Sequence, residues 1–142
     1  MASEMISHVG IAVADLDTAM ARYALLTGDD APFIVEVPDQ KVKVAIFTGG
    51  QVGAGHGGGR IELVAATSDD SPIAKYLAKR GEGLHHICIY VDDIERKLDE
   101  LKASGARLID ETPRIGAEGH RIAFVHPAGS HGVLLELEER AS

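Results

Sequence analysis

Four residues of metal-ligand type stand at matched places in this chain of 142 residues. His8 and His86 each open an apolar, strand-like run, and Glu62 and Glu136 each sit inside a later one, RIELV and VLLEL. Two neutral imidazoles and two carboxylates make a donor set for a divalent first-row ion such as cobalt, manganese, nickel or zinc, with positions left open for water or substrate. Taken singly, a histidine in a strand is ordinarily a satisfied polar residue, and a glutamate an exposed position on a sheet face. Their recurrence at equivalent places argues for a ligand set, though not for one particular ion.

The recurrence is a duplication. SHVGIAVADLDTA from Ser7 and HHICIYVDDIERK from His85 align with an offset of 78 residues, placing Val13 on Val91, Asp15 on Asp93 and Leu16 on Ile94. VAIF at 44–47 falls on IAFV at 122–125 with the same offset. Glu62 and Glu136 are 74 apart because the first half has the longer glycine loop. A unit with a histidine on its first strand and a glutamate on its last, used twice, can bring four ligands together across a pseudo-twofold axis.

The elements that must position these residues are legible from periodicity. Val9, Ile11 and Val13 alternate with His8, Gly10 and Ala12, the pattern of a half-buried strand. Asp15 or Asp17 can cap a helix carrying Leu16, Ala19, Met20 and Tyr23, which Thr27 and Gly28 end. FIVEV, VKVAIF and RIELVAA then read as three strands. Ser71 before Pro72 starts a connecting helix with Ile73, Ala74, Leu77 and Ala78 as its packing stripe. The second unit repeats the order: a strand over 84–91, a helix over about 93–104 stopped by Gly105, then ARLID, RIAFV and GVLLELE as strands. The expectation is one α+β domain of two tandem βαβββ modules, at about 5–66 and 83–139, with a linker helix at about 71–80. Its eight strands should form two cupped, mixed sheets side by side around the ligand set. The loop at 48–59 holds seven glycines in twelve residues. It joins two strands instead of opening a helix and lacks the dinucleotide glycine spacing, so it reads as a hairpin insertion, with a lid over a ligand as the alternative.

Strand parity sorts the candidates. His86 shares a face with Cys88 and Tyr90, and His85 should point the other way. Glu62 lies with Arg60 and Val64, and Glu136 lies away from Val133, Leu135 and Leu137. The apolar faces should meet the helices, leaving His8, Glu62, His86 and Glu136 on the concave side. His56, His120, His126 and His131 lie in loops or at strand ends, where solvated or turn-stabilising roles are expected. Cys88 reads as a small space-filling residue in preference to a nucleophile.

Composition narrows the partners. Fourteen Lys and Arg against 22 Asp and Glu give a net charge of −8, which argues against duplex nucleic acid or an anionic membrane. The single cysteine excludes an internal disulfide framework and agrees with a cytoplasmic address. MASEMISHVG lacks signal-peptide and transit-peptide character, and no run reaches the roughly 18 apolar residues of a membrane span, so a soluble protein is expected.

HVGIAVADLDTA, DSPIAKYL, GEGLHHICIYVDDI, RIGAEGHRIAFVHP and HGVLLELE together resemble the vicinal oxygen chelate superfamily, in the glyoxalase and bleomycin-resistance group, and within it the methylmalonyl-CoA epimerase family. The resemblance covers nearly the whole chain. It implies a homodimer that epimerises methylmalonyl-CoA at C2, with a divalent metal chelating the substrate and an enolate formed as the proton leaves. It also implies a place in propionyl-CoA metabolism. By the same resemblance His8, His86 and Glu136 match metal ligands, Glu62 stands where a further ligand is found, and Glu136 matches an acid/base. A glutamate that some members carry on the third strand falls at Val44, which cannot transfer a proton. Glu62 and Glu136 are therefore expected to face opposite sides of the substrate carbon, as ligands and bases together. His86→Ala should lose metal and His85→Ala should keep it. Coenzyme A brings phosphates to an acidic protein, so local groups must hold it, with Arg114, His120 and Arg121 as candidates. The alternatives are a glyoxalase I-type lactoylglutathione lyase, an iron-dependent ring-cleaving dioxygenase, and a non-catalytic small-molecule-binding member.

Overall fold

Local signals set the ends of the helices in the computed structural model, which describes residues 6–48 and 59–140. Helix α1 (Leu16–Thr27) starts at Asp15, whose carboxylate accepts from the Asp17 N–H at 3.1 Å, and stops at Gly28 with φ of 75°. Helix α2 (Pro72–Arg80) starts at Ser71, whose hydroxyl accepts from the Ile73 N–H. Helix α3 (Ile94–Ala103) starts at Asp93, whose carboxylate accepts from the Arg96 N–H. Among the described residues no helix is long and apolar enough to cross a membrane.

The strands are β1 (Ile6–Ala12), β2 (Phe33–Val37), β3 (Val42–Phe47), β4 (Arg60–Ala66), β5 (Gly83–Val91), β6 (Arg114–Ile115), β7 (Arg121–Val125) and β8 (Leu135–Glu139). They form one mixed, curled sheet in the order β2-β3-β4-β1-β5-β8-β7-β6. Each half repeats the other: β1 is parallel to β4, and β5 is parallel to β8. The two expected sheets are joined edge to edge because the inner strands β1 and β5 pair antiparallel. Val9 lies opposite Ile87, its own mate at the 78-residue offset, so the pseudo-twofold axis passes through that pair. The register slips once on each side of it, between Ile6 and His8 on β1 and again where Gly10 and Ile11 face His86 and Leu84. The supernumerary residues of these two β-bulges are Ser7 and His85.

Two strands differ from expectation. ARLID makes only an isolated bridge, Leu108 to Val125. The N–H groups of Ile109 and Asp110 both donate to the Phe124 carbonyl, and the Asp110 carboxylate takes the Phe124 N–H, so a side chain replaces the regular ladder there. The edge strand forms further on, at β6. GVLLELE becomes a strand only from Leu135, because residues 127–129 turn as a 3₁₀ helix and the Gly132 N–H folds back to the Pro127 carbonyl.

Helices cover the sheet unevenly. Leu16 of α1 packs with Val13, Ala45, Phe47, Leu63 and Ala65, and Ile94 and Leu98 of α3 pack with Ala123, Val125 and Leu137. Ile73 of α2 packs instead with Val42, Val44 and Val64, residues of the face that lines the central cavity. The glycine loop and His56 lie outside the described residues, apart from the loop's ends at Thr48 and Gly59.

Candidate active site

The inner strands and the last strand of each module bring His8, His86 and Glu136 to one point. His8 Nε2 lies 3.2 Å from His86 Nε2 and 3.2 Å from Glu136 Oε1, and His86 Nε2 lies 3.0 Å from the same oxygen. Adjacent ligands about 2.1 Å from a first-row ion are separated by about 3.0 Å in an octahedron and about 3.4 Å in a tetrahedron. Two imidazoles and a carboxylate at these separations, all buried, fit such an ion. Glu62 meets His8 at the other ring nitrogen, with Oε2 at 3.2 Å from Nδ1. That buried oxygen has no hydrogen-bond partner among the described residues. The His8 ring thus separates the two carboxylates expected to work together.

Their environments differ. Burial pushes the Glu62 carboxyl well above the usual carboxylate range, reinforced by a hydrogen bond with Glu118 and by the charge of Glu136. Burial also opposes ionisation of Glu136, but hydrogen bonds from His8 and His86 outweigh it and hold this carboxyl at about 2. The surroundings thus push the two carboxyls in opposite directions, Glu62 toward keeping its proton and Glu136 toward losing it.

These residues line a cavity of about 280 Å³. Val37, Val42, Val44 and Val64 make one wall, and Ile122 and Phe124 make the other. Val44 is buried among aliphatic side chains, so no proton-transfer group stands at that point of the third strand. Arg114 lies at the cavity with its guanidinium carbon 5.7 Å from the centre of the Phe124 ring. His120 also lines the cavity and pairs through Nδ1 with Glu138.

Arg121 requires correction as a candidate for binding coenzyme A. It shares a face with Ala123 and Val125, the side packed against α3, and its guanidinium grips the Glu139 carboxylate at 3.0 Å and Glu95 of α3 at 3.1 Å. Strict alternation points this residue away from the cavity, and its position before Ile122 already carried that information. The expectation for His85 is corrected as well. The bulge re-aims its ring, which lines the cavity with Nδ1 at 3.0 Å from His86 Nδ1. Burial and the neighbouring His86 hold its imidazole low, at about 4.

His126 is a turn residue as expected, its Nδ1 accepting from the Ala128 N–H. His131 occupies a left-handed position with φ of 57°. Cys88 is fully buried, and burial together with nearby carboxylates pushes its thiol up, which suits a space-filling residue.

Further polar residues surround the site. Glu138 is 2% exposed, accepts from the Ser7 hydroxyl at 2.6 Å and pairs with His120. Arg60 donates from Nη2 to Ser7 Oγ and to the Tyr90 hydroxyl, and pairs with Glu118 at 3.0 Å. Parity could have found Glu138, two residues beyond Glu136 on the same strand face. Glu118 carried no signal, since a turn has no fixed period.

Paired βαβββ modules with a ligand cluster between them define a class, and comparison agrees. Residues 7–124 match the family model of the Glyoxalase/Bleomycin resistance protein/Dioxygenase superfamily, to which the chain belongs. It is 40% identical over 136 residues to the mitochondrial methylmalonyl-CoA epimerase of Dictyostelium discoideum, spanning 95% of this chain and 78% of that protein. The crystal structure of methylmalonyl-CoA epimerase from Mycobacterium tuberculosis superposes with a TM-score of 0.86 and 35% identity, covering 100% of this chain and 93% of that one. A Streptomyces coelicolor methylmalonyl-CoA epimerase variant in complex with 2-nitronate-propionyl-CoA gives 0.85 and 34%, over 98% and 96% of the two chains. The relatives that this chain resembles along nearly its whole length include methylmalonyl-CoA epimerases.

Proposed function

We propose that this protein interconverts the C2 epimers of methylmalonyl-CoA. The observation that carries the reading is the convergence of His8, His86 and Glu136 on one point of the cavity, in a chain whose relatives bear that activity in their names. His8, His86 and Glu136 would hold a divalent first-row ion, while Glu62 stands at the other ring nitrogen of His8. What such an ion supplies is Lewis acidity toward the substrate's thioester and carboxylate oxygens, which stabilises charge as C2 is deprotonated.

The chain's own residues divide the proton work. Glu136, held as a carboxylate, takes the C2 proton from one face, leaving an enolate. Glu62, on the other side of His8, returns a proton to the opposite face. One turnover leaves Glu136 protonated and Glu62 ionised, and exchange with solvent or reaction of the other epimer restores them. The apolar wall of Val37, Val42, Val44 and Val64 excludes water around the reacting carbon. Arg114 and His120, which line the cavity and are partly exposed, would meet the coenzyme A portion.

The test is proton exchange at C2 of methylmalonyl-CoA in deuterated water, followed by NMR with metal-loaded protein and a chelated control. Rapid exchange in the loaded protein alone is expected. No exchange, with metal shown to be bound, would remove the epimerase reading and turn attention to the glutathione hemithioacetal of a lactoylglutathione lyase.

A further inference from the structure

Helix α2 belongs to neither module, yet Pro72 and Ile73 in its first turn line the cavity. Ile73 is 4% exposed and packs on Val37, Val42, Val44 and Val64. The helix that carries it is tied down along its length. At its start the buried Ser71 hydroxyl accepts from the Ile73 N–H at 3.1 Å, Asp70 pairs with Lys41, and the Thr67 N–H donates to the Lys41 carbonyl at 2.9 Å. One turn on, the Tyr76 hydroxyl donates to the Leu84 carbonyl at 2.9 Å. A close-packed side chain on a helix held in this way does not yield easily to a larger ligand.

Strand geometry places that side chain near the reacting carbon. Val64 follows Glu62 on the same face of β4, about 7 Å along the strand, and Val44 pairs with Val64 from β3. Val44, Val64 and Ile73 are therefore the aliphatic surface that begins next to Glu62. The opposite wall is already engaged. The Phe124 ring meets His86 edge-to-face at 5.8 Å and the Arg114 guanidinium at 5.7 Å, and Gly116 closes on Ile122 so tightly that a Cβ there would fall 2.9 Å from Ile122 Cγ2. C2 of a methylmalonyl thioester carries a carboxylate, a thioester carbonyl, a hydrogen and one alkyl group. The two oxygen-bearing groups belong with the polar cluster, so the alkyl group is the substituent that gains by burial against the aliphatic surface.

We infer that Ile73 is the stop that limits the length of the alkyl group accepted at C2, so that a methyl group fits and its longer homologues are excluded. The inference rests on the epimerase reading for the identity of the ligand. Val44 and Val64 lie on strands that build the site, whereas Ile73 reaches it from outside both modules and can change without moving Glu62. One methylene in an apolar pocket is worth about 10- to 200-fold in kcat/KM. Against a wall that does not yield, the C2-methyl substrate should therefore be favoured over the C2-ethyl homologue by about 10-fold or more.

The experiment gives the full, metal-loaded chain methylmalonyl-CoA and its C2-ethyl homologue, and reads both kcat/KM for epimerisation and Kd by calorimetry. Ile73→Val and Ile73→Ala should raise the ethyl-to-methyl ratio in steps, by about 10-fold or more in the alanine variant. If Ile73→Ala does not fold, Ile73→Val, one methylene smaller, carries the test. Leu77→Ala opens the same core one turn further along α2, at a residue that does not line the cavity, and should lower the thermal midpoint without moving the ratio. A ratio unchanged in both Ile73 variants, or moved as far by Leu77→Ala, would overturn the inference. A protein that binds both thioesters without epimerising either, and whose Kd ratio shifts in the Ile73 variants, would remove the epimerase reading and keep Ile73 as the stop. A wild-type protein that binds neither thioester would remove both.

Discussion

The two modules share one plan and fill it differently. At the 74-residue offset Glu62 corresponds to Glu136, but Val64 corresponds to Glu138 and Arg60 to Leu134. The reason lies in the linker helix. α2 lays Ile73 on the inner face of module one, against Val42, Val44 and Val64, so that face must be aliphatic. Among the described residues no helix lies on the inner face of module two, which carries Phe124, His120, Glu136 and Glu138 toward the cavity. Each buried polar group there is partnered, Glu138 by Ser7 and His120, as burial requires. Duplication therefore sets where the ligands point. The unduplicated segment between the halves sets which half is polar, and Val44 sits where α2 leaves no place for a charge.

The largest effects should expose that inequality. Glu136→Gln removes a carboxylate shared by both histidines, and should abolish metal binding and slow C2 exchange about 10³-fold or more, near the range for losing an acid or base. Glu62→Gln should lose inversion by about 10²-fold or more while Glu136 still exchanges the C2 proton from its own face. NMR in deuterated water separates these outcomes, since exchange without inversion is visible as deuterium entering one epimer. Normal inversion and normal exchange in Glu62→Gln would refute the two-sided arrangement. Equal loss of metal and exchange in both variants would show that the modules contribute alike.

A second comparison crosses the axis through Val9 and Ile87. Gly10 lies opposite His86, and its symmetry mate Cys88 lies opposite His8. A Cβ on Gly10 would fall 2.0 Å from His86 Cε1, so the imidazole must move. Gly10→Ala should cost about 1–3 kcal/mol by overpacking, read from the denaturation midpoint, and should weaken metal binding with it. Cys88→Ala removes one buried sulfur and should cost about 1 kcal/mol with the ligands undisturbed. Similar metal loss in both would mean that the close approach at Gly10 is not what seats His86.

Much of this frame was legible in the chain. The offset gave the modules, the alternation in HVGIAV and ICIYV gave the faces, and Asp15, Ser71 and Asp93 gave the helix starts. Parity failed where pairing is irregular. His85 cannot be placed by counting from His86, because a bulge depends on how two strands meet and leaves no mark on either strand alone. ARLID has the composition of a strand, yet the ladder was replaced by the Asp110 side chain. Glu118 and Arg60 pair across modules from a turn and a strand end, a contact set by tertiary closure alone.

The smallest expected effects sharpen the comparison within module two, between its two faces. Arg114 and Arg121 flank the same turn, seven residues apart, and both are cationic residues near a cavity that should receive phosphates. Only Arg114 reaches that cavity, stacked near Phe124 with Asp110 at 3.6 Å, whereas Arg121 is clamped by Glu139 and Glu95 on the helix-covered side. Arg114→Ala should raise KM for methylmalonyl-CoA several-fold with kcat little changed, the pattern of lost uniform binding. Arg121→Ala should leave both constants unaltered, because its exposed ion pairs act on α3 and not on the substrate. Steady-state kinetics across a range of salt concentrations decides between them, since a phosphate contact weakens with salt. A KM increase confined to Arg121→Ala would mean that coenzyme A lies across the outer face of β7, and would place the polar half of the binding surface on the wrong side of the sheet.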